Sequence, residues 1–478
     1  MFIALIWLLK VFLSASRDIT HTKKSMPVLL FTRFGLVFIF ITVVICQSYW
    51  QLCGHLHPEF HQLQLRYDAR YRVQESELGS GTAEHVQVST ESNQYPKRMN
   101  IIRGSIYDRK NRKMVYTDSG NLVRKYPYGE TCAHLTGYIN TYFGSSGLEN
   151  AFNNYLEGRT KGSLSELETF VRNSIIRHSM IGNDLYTTVD AELQKAVFEY
   201  LSPKSGAVII LNPQNGEILA LVSSPSFDPE SISDRFKVYQ QNPDSPFLNR
   251  ATQGLYPPGS TFKVFTSACA IEDGLDLYLD CPVEGYLPPG TNRWIRDHEY
   301  YEAQKRGESY RRSEHLELTE ALVRSSNVYF SQLGVRVGAL RFMKYLPNVG
   351  LTRQFSLIGH PLLYESLIVQ KSYIKISENT PDAFLALLGI GQGAISVRPL
   401  HMAILYSIVA NNGSLIKPHL IPETAKGLVE ISLSGKTCQK LKDALYKVVE
   451  QGTGQSLRIP GLKIAGKTGT ADNPHGLP

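Results

Sequence analysis

Several features that would fix a function by themselves are scarce in this chain. Its six cysteines (Cys46, Cys53, Cys132, Cys269, Cys281 and Cys438) include no C-x-x-C pair and no neighbouring histidine cluster. That spacing indicates neither a zinc site nor a disulfide framework. Charge of one sign is also lacking: 50 basic against 43 acidic residues leave +7, interspersed rather than in blocks. This argues against a nucleic-acid-binding face and for an ordinary solvated surface. There is no internal repeat, and 478 residues exceed one ordinary core, so two or three folded units are expected.

Long uncharged apolar runs are almost absent, and the exception is informative. Residues 34–54, FGLVFIFITVVICQSYWQLCG, carry no charge and close on Tyr49 and Trp50, rings that favour a headgroup interface. One membrane-spanning helix is expected. Arg17, Lys23, Lys24 and Arg33 precede it, which keeps the N-terminus cytoplasmic and sends the body outside. A cleaved signal peptide fits less well, because the run exceeds a typical apolar signal core and no small-x-small site follows. The earlier stretch MFIALIWLLKVFLSA is broken by Lys10 and is too short to span, which makes Met26 a candidate start.

The polar stretch 55–100 reads as a connector, and the short apolar runs of 103–158, broken by Gly and Pro, as a small module of strands and turns for spacing or docking. Asp190 caps an amphipathic helical pattern, AELQKAVFEYL. Two β-rich runs follow around Asn215-Gly216, a dipeptide suited to a tight hairpin. Helical patterns fill 319–337, 400–411 and 434–451, and LKIAGKTGT reads as a late strand. The expected division is 1–28 cytoplasmic, 29–54 transmembrane, 55–100 connector, 101–183 small β-rich module and 184–478 large domain. Helical patterns between an early hairpin and a late strand-like run suggest a sheet assembled from sequence-distant pieces.

Chemistry concentrates in three short elements. Ser260-Thr261-Phe262-Lys263 follows the breaker cluster Pro257-Pro258-Gly259, so a helix starts there with the Ser260 hydroxyl and the Lys263 amine on one face. A serine alcohol needs a group to take its proton, and a crowded lysine is neutral enough to do it. The Ser260 N–H at the helix start suits a developing oxyanion. Ser325-Ser326-Asn327 supplies a hydroxyl for proton relay at Ser325 and an amide for a substrate carbonyl at Asn327. Lys467-Thr468-Gly469-Thr470 supplies a lysine and hydroxyls for a carboxylate, with a glycine admitting close ligand approach. Taken singly, each element is more often a cap, a turn or a plain strand. The chain contains its own controls: Ser372-Tyr373-Ile374-Lys375 repeats the first pattern without a Pro-Gly entry, and Ser119-Gly120-Asn121 repeats the second inside the small module. Both are expected to be structural.

The order S-x-x-K, S-x-N, K-T-G resembles the signature shared by penicillin-binding proteins and serine β-lactamases. RGSIYDR (residues 103–109) and GSSGLENAFNNYLEG (144–158) are similar to segments of class B penicillin-binding proteins, and secreted β-lactamases lack both. NRATQGLYPPGSTFK, GIGQGAISVRPLHMAILYSIVANNG and VVEQGTGQSLRIPGLKIAGKTGT also look like transpeptidase-domain segments. The resemblance implies a β-lactamase-like transpeptidase fold of the α+β/α/β class, a central antiparallel sheet flanked by helices, with 101–183 as its small β-rich pedestal and 184–478 as the transpeptidase domain. It implies a peptidoglycan D,D-transpeptidase acting through a Ser260 acyl-enzyme from D-Ala-D-Ala, with β-lactams bound covalently. It implies Lys263 as base, Ser325 and Lys467 as relay and electrostatic partners, and Asn327 as substrate anchor. Thr468 and Thr470 would hold the terminal carboxylate beside Gly469, with the N–H groups of Ser260 and Thr470 as oxyanion donors. No metal or organic cofactor is implied. The implied partners are stem peptides, the bacterial cytoplasmic membrane through one helix, and a polytopic glycosyltransferase. The pedestal is short for the class, and the family continues past the K-T-G strand with further strands and a closing helix, so the chain to Pro478 reads as C-terminally incomplete. Two alternatives stay open: a carboxypeptidase, β-lactamase or penicillin sensor of the same fold, and a non-catalytic scaffold of a cell-wall synthesis complex.

Overall fold

In the small module, apolar residues on short strands bury one face and leave the other to charged neighbours. A computed structural model describes residues 100–158, 179–311, 315–358, 367–422 and 429–471. The expected membrane helix and connector lie outside these residues, and among the described residues no helix is long and apolar enough to cross a membrane. Strands β1 (Ile106–Tyr107), β2 (Lys113–Thr117), β3 (Arg124–Lys125) and β4 (Leu185–Tyr186) form one sheet in the order β3-β2-β1-β4. The β1–β4 pair is parallel and the others are antiparallel. Ile106, Met114 and Val115 are fully buried beneath it. Helices α1 (Gly129–Thr136) and α2 (Gly147–Ala151) pack below. Ser119-Gly120-Asn121 is the turn between β2 and β3, with Asn121 Oδ1 accepting the Val123 N–H at 3.0 Å.

The two family-like segments of the module meet in an ion-pair cluster. Glu149 of α2 has no exposed surface and accepts Arg103 Nε and Arg124 Nε, each at 2.6 Å. A buried carboxylate persists only when its charge and lone pairs are matched this way. Asp108 is equally buried and clamps the module to the helix that begins at Ala191. Its Oδ1 accepts the N–H groups of Lys110 and Arg112, and its Oδ2 accepts the Ala191 N–H at 3.1 Å. Burial opposes its ionisation, but the Arg112 bonds and these amides hold the carboxyl below its ordinary range.

Ala191 opens α3 (Ala191–Leu201), whose N-cap is Asp190 as expected. Strands β5 (Gly206–Leu211) and β6 (Ile218–Ser224) then pair antiparallel. Their connection is not the expected two-residue turn: residues 212–217 intervene, closed by Asn212 N–H to Glu217 O at 2.9 Å, with Gly216 at φ +82°. The asparagine-glycine pair closes this longer loop instead of forming the whole of it. Helix α4 (Lys263–Glu272) runs through the core, with every residue from Lys263 to Ala270 buried. The helical pattern expected over 319–337 is two helices, α5 (Leu318–Arg324) and α6 (Asn327–Asn348), broken at Ser325. Helices α7 (Asp382–Gly389), α8 (Pro399–Ala410) and α9 (Gly435–Gln451, capped by Ser434) follow. One apolar core extends from Ile106 and Leu148 through Phe262, Phe265 and Phe342 to Leu441 and Val448, so module and larger domain share it.

LKIAGKTGT does not form the expected strand; residues 462–471 carry no ladder among the described residues. A strand is defined by a hydrogen-bonded neighbour. What lies beside this segment is the helical turn that begins α4.

Candidate active site

Pro258 and Gly259 set the entry to α4. Gly259 holds φ +53°, and a Cβ there would lie 2.4 Å from the Thr470 carbonyl oxygen. Only glycine permits both the left-handed backbone and that approach. A 3-10 turn, Gly259–Phe262, leads into α4 and puts half-buried Ser260 at the lip and fully buried Lys263 one turn deeper. The turn is pinned from outside by Gly259 N–H to Gly391 O at 2.9 Å and internally by Thr261 Oγ1 to Pro258 O at 2.6 Å.

Lys263 Nζ is where the first two elements meet. It donates to Ser325 O at 2.7 Å and Asn327 Oδ1 at 2.8 Å, and lies 3.3 Å from Ser325 Oγ. Two of these partners are carbonyl oxygens, which only accept; the third is a hydroxyl, which accepts or donates. An ammonium would donate to all three, while a neutral amine would donate to the carbonyls and accept from Ser325. The site therefore suits the amine in both protonation states. Burial, reinforced by the like charge of Lys467 and opposed by Asp297, pushes Lys263 well below the ordinary lysine range. The Phe330 ring, 5.5 Å from Nζ, closes the apolar side. The expected contact between Ser260 Oγ and Lys263 Nζ is not a hydrogen bond in this arrangement; among the described residues the Ser260 hydroxyl has no such partner.

Ser325 projects into the site because it ends α5 in the left-handed conformation, φ 58° and ψ 40°. A non-glycine residue held there is strained by roughly 1–3 kcal/mol, and such strain gathers at functional sites. The third element crosses the same turn. A Cβ on Gly469 would lie 2.8 Å from Thr261 Cγ2 and 3.2 Å from Pro258 O, so residues 467–471 ride directly over the Ser260 turn. Thr468 Oγ1 donates to Thr453 Oγ1 at 3.0 Å, and Thr453 N–H reaches Val323 O at 3.2 Å, which joins this segment to the end of α5. Burial pushes the Lys467 amine down to about 8. The N–H groups of Ser260 and Thr470 enter no loop or turn hydrogen bond among the described residues.

All eight expected site residues thus lie on three segments that converge on one turn. The second S-x-x-K copy does not join them: Ser372 is buried, its Oγ 2.6 Å from His401 Nδ1 and accepting the Arg398 N–H at 3.1 Å. Two residues at the site escaped the sequence reading. Arg296 O accepts Asn327 Nδ2 at 3.1 Å, and Asp297 accepts Ser326 Oγ. Nothing in the spacing of TNRWIRDHEY ties it to a motif about 30 residues later; a lone Asp before a helix was the only signal.

Residues 206–475 match the penicillin binding protein transpeptidase domain, and residues 103–173 match the penicillin binding protein A dimerisation domain. The chain belongs to the class B penicillin-binding proteins. Its relatives in this class include penicillin-binding protein 3 of Bacillus subtilis, 32% identical over 382 residues (73% of this chain, 54% of that one). Another is the peptidoglycan D,D-transpeptidase PbpA of Mycobacterium tuberculosis, 31% identical over 384 residues (73% and 72%). Penicillin-binding protein A of M. tuberculosis, solved as its imipenem acyl-enzyme complex, superposes with a TM-score of 0.66 at 28% identity, covering 77% of this chain and 87% of that one. The chain spans only 54% and 56% of the first curated relatives it matches, the second being MrdA of Acinetobacter baumannii.

Proposed function

We propose that this class B penicillin-binding protein is a peptidoglycan D,D-transpeptidase with Ser260 as its acylated nucleophile. The observation that carries the reading is the buried Lys263 amine, one turn past Ser260, bound to both Ser325 and Asn327 beneath the 467–470 segment. Ser260 Oγ attacks the penultimate D-Ala carbonyl and loses its proton to neutral Lys263. The new oxyanion sits between the N–H groups of Ser260 and Thr470. The bond to the terminal D-Ala nitrogen breaks, and that nitrogen takes a proton delivered through Ser325. An acceptor amine from a second stem peptide then forms its bond to the acyl carbon, Ser260 Oγ leaves and is reprotonated, and the proton balance closes. Asn327 holds the donor peptide, and Lys467, Thr468 and Thr470 hold the terminal carboxylate, with Gly469 admitting it. β-Lactams would stop at the acyl stage.

The division into 1–28, 29–54, 55–100, 101–183 and 184–478 belongs to the same reading. The apolar run 34–54 supports a single-pass anchor in the bacterial cytoplasmic membrane with the catalytic domain outside, and a polytopic glycosyltransferase is the partner that the class suggests. Incubating the full chain with a D-Ala-D-Ala peptide and an acceptor amine tests the reaction. D-Ala release with a cross-linked product, both abolished in Ser260→Ala, is expected; release without cross-linking, or activity in Ser260→Ala, would contradict it.

A further inference from the structure

The segment that ends at Asp297 packs against the start of α6, about 30 residues later in the chain. Asp297 is 5% exposed, and such a burial costs free energy unless each oxygen is matched. Its Oδ1 accepts Ser326 Oγ at 3.0 Å and the Val328 N–H at 3.0 Å, and Oδ2 lies 3.1 Å from the same hydroxyl. Ser326 in turn accepts the Tyr329 N–H at 3.1 Å, so its one hydrogen is committed to Asp297. Within Ser325-Ser326-Asn327 the outer two residues face Lys263 while the middle one faces Asp297. The neighbouring Arg296 carbonyl takes Asn327 Nδ2, which turns the amide so that Oδ1 meets Lys263. Arg296 is itself braced, its Nε on Glu284 O at 2.9 Å and its guanidinium 4.9 Å from the Tyr300 ring.

From this we infer that Asp297 is a positioning residue for the base, fixing Ser326 so that Ser325 and Asn327 hold the Lys263 amine, and placing a negative charge near it. This rests on the proposed Ser260 chemistry. Lys467 and Asp297 are the charged groups that act on Lys263, and they act in opposite directions. Removing the carboxylate charge therefore leaves Lys263 less basic: it deprotonates Ser260 more slowly, yet stays neutral to lower pH. A plain helix cap would move stability and leave that pH dependence alone.

The test is the acylation rate of the full chain by a fluorescent penicillin across pH. Asp297→Asn keeps the shape and an acceptor oxygen; it should acylate about tenfold more slowly, with the acid limb displaced to lower pH. Asp297→Ala should lose about 100-fold, mostly in the acylation step and not in initial binding. If Asp297→Ala fails to fold, Asp297→Asn decides. An unmoved acid limb in Asp297→Asn overturns the inference, whatever its rate. A wild-type chain never labelled at Ser260 sinks the transpeptidase reading, and this inference with it; a labelled wild type beside an unmoved variant sinks the inference alone.

Discussion

Replacing Lys467 by Arg separates the two lysines of the site. Burial lowers the Lys467 amine to about 8, so its charge is lost within the pH range in which penicillin labelling can be followed. Near pH 9 only about a tenth of the molecules would keep it, and the population falls tenfold with each further unit. In the proposed mechanism Lys263 works as the neutral amine and Lys467 as the ammonium that meets a carboxylate. The acylation rate should therefore rise through the depressed Lys263 value and fall above about 8. Arginine keeps its charge throughout this range. In Lys467→Arg the alkaline limb near 8 should vanish, at whatever amplitude, while the acid limb stays, because a positive neighbour still depresses Lys263. In Lys467→Ala that like charge is gone, and the acid limb should move to higher pH. The assay is the second-order rate of labelling by a fluorescent penicillin from about pH 5 to about pH 10. An alkaline limb near 8 that persists in Lys467→Arg would refute this assignment.

Gly259→Ala combines a left-handed backbone, costing roughly 1–2 kcal/mol for an ordinary residue, with a Cβ driven against the Thr470 carbonyl. It should fold with a lowered melting temperature and label about 100-fold more slowly, the usual scale for an ångström-size misplacement; wild-type labelling would show that the 467–471 segment does not need this approach. Ser372→Ala strips the buried His401 of its partner and should cost about 1–3 kcal/mol in denaturant unfolding, with penicillin still attached at Ser260. Loss of labelling without loss of stability would reverse the ranking of the two S-x-x-K copies. Glu149→Ala leaves Arg103 and Arg124 facing each other in the interior and should destabilise by about 3–5 kcal/mol. A change under about 1 kcal/mol in chemical unfolding would mean that water replaces the carboxylate.

The parts that were legible from sequence are those governed by local chemistry. Asp190 is a cap because its side chain reaches amides two and three residues on, and the adjacent apolar spacing is visible without tertiary knowledge. The three motif segments were legible as a set because each carries a residue type that the proposed reaction needs. Features set by distant contacts were not. The break at Ser325 depends on a strained dihedral held by its surroundings, and helical periodicity runs across it undisturbed. LKIAGKTGT has the composition of a strand, but strand identity lies in a neighbour that its own residues do not encode. Glu149 and Asp108 read as surface charges until Arg103, Arg124 and Ala191 are placed around them. Asp297 was invisible for the same reason.

The central claim is that one particular hydroxyl captures a peptide-like carbonyl, and mapping the adduct tests it most directly. The full chain is labelled with penicillin, digested, and the modified peptide located by mass. The modification should fall on Ser260, within GLYPPGSTFK, and disappear in Lys263→Ala, which keeps the hydroxyl but removes the amine that takes its proton. An adduct on Ser372 or Ser325, or undiminished labelling of Ser260 without Lys263, would contradict the account.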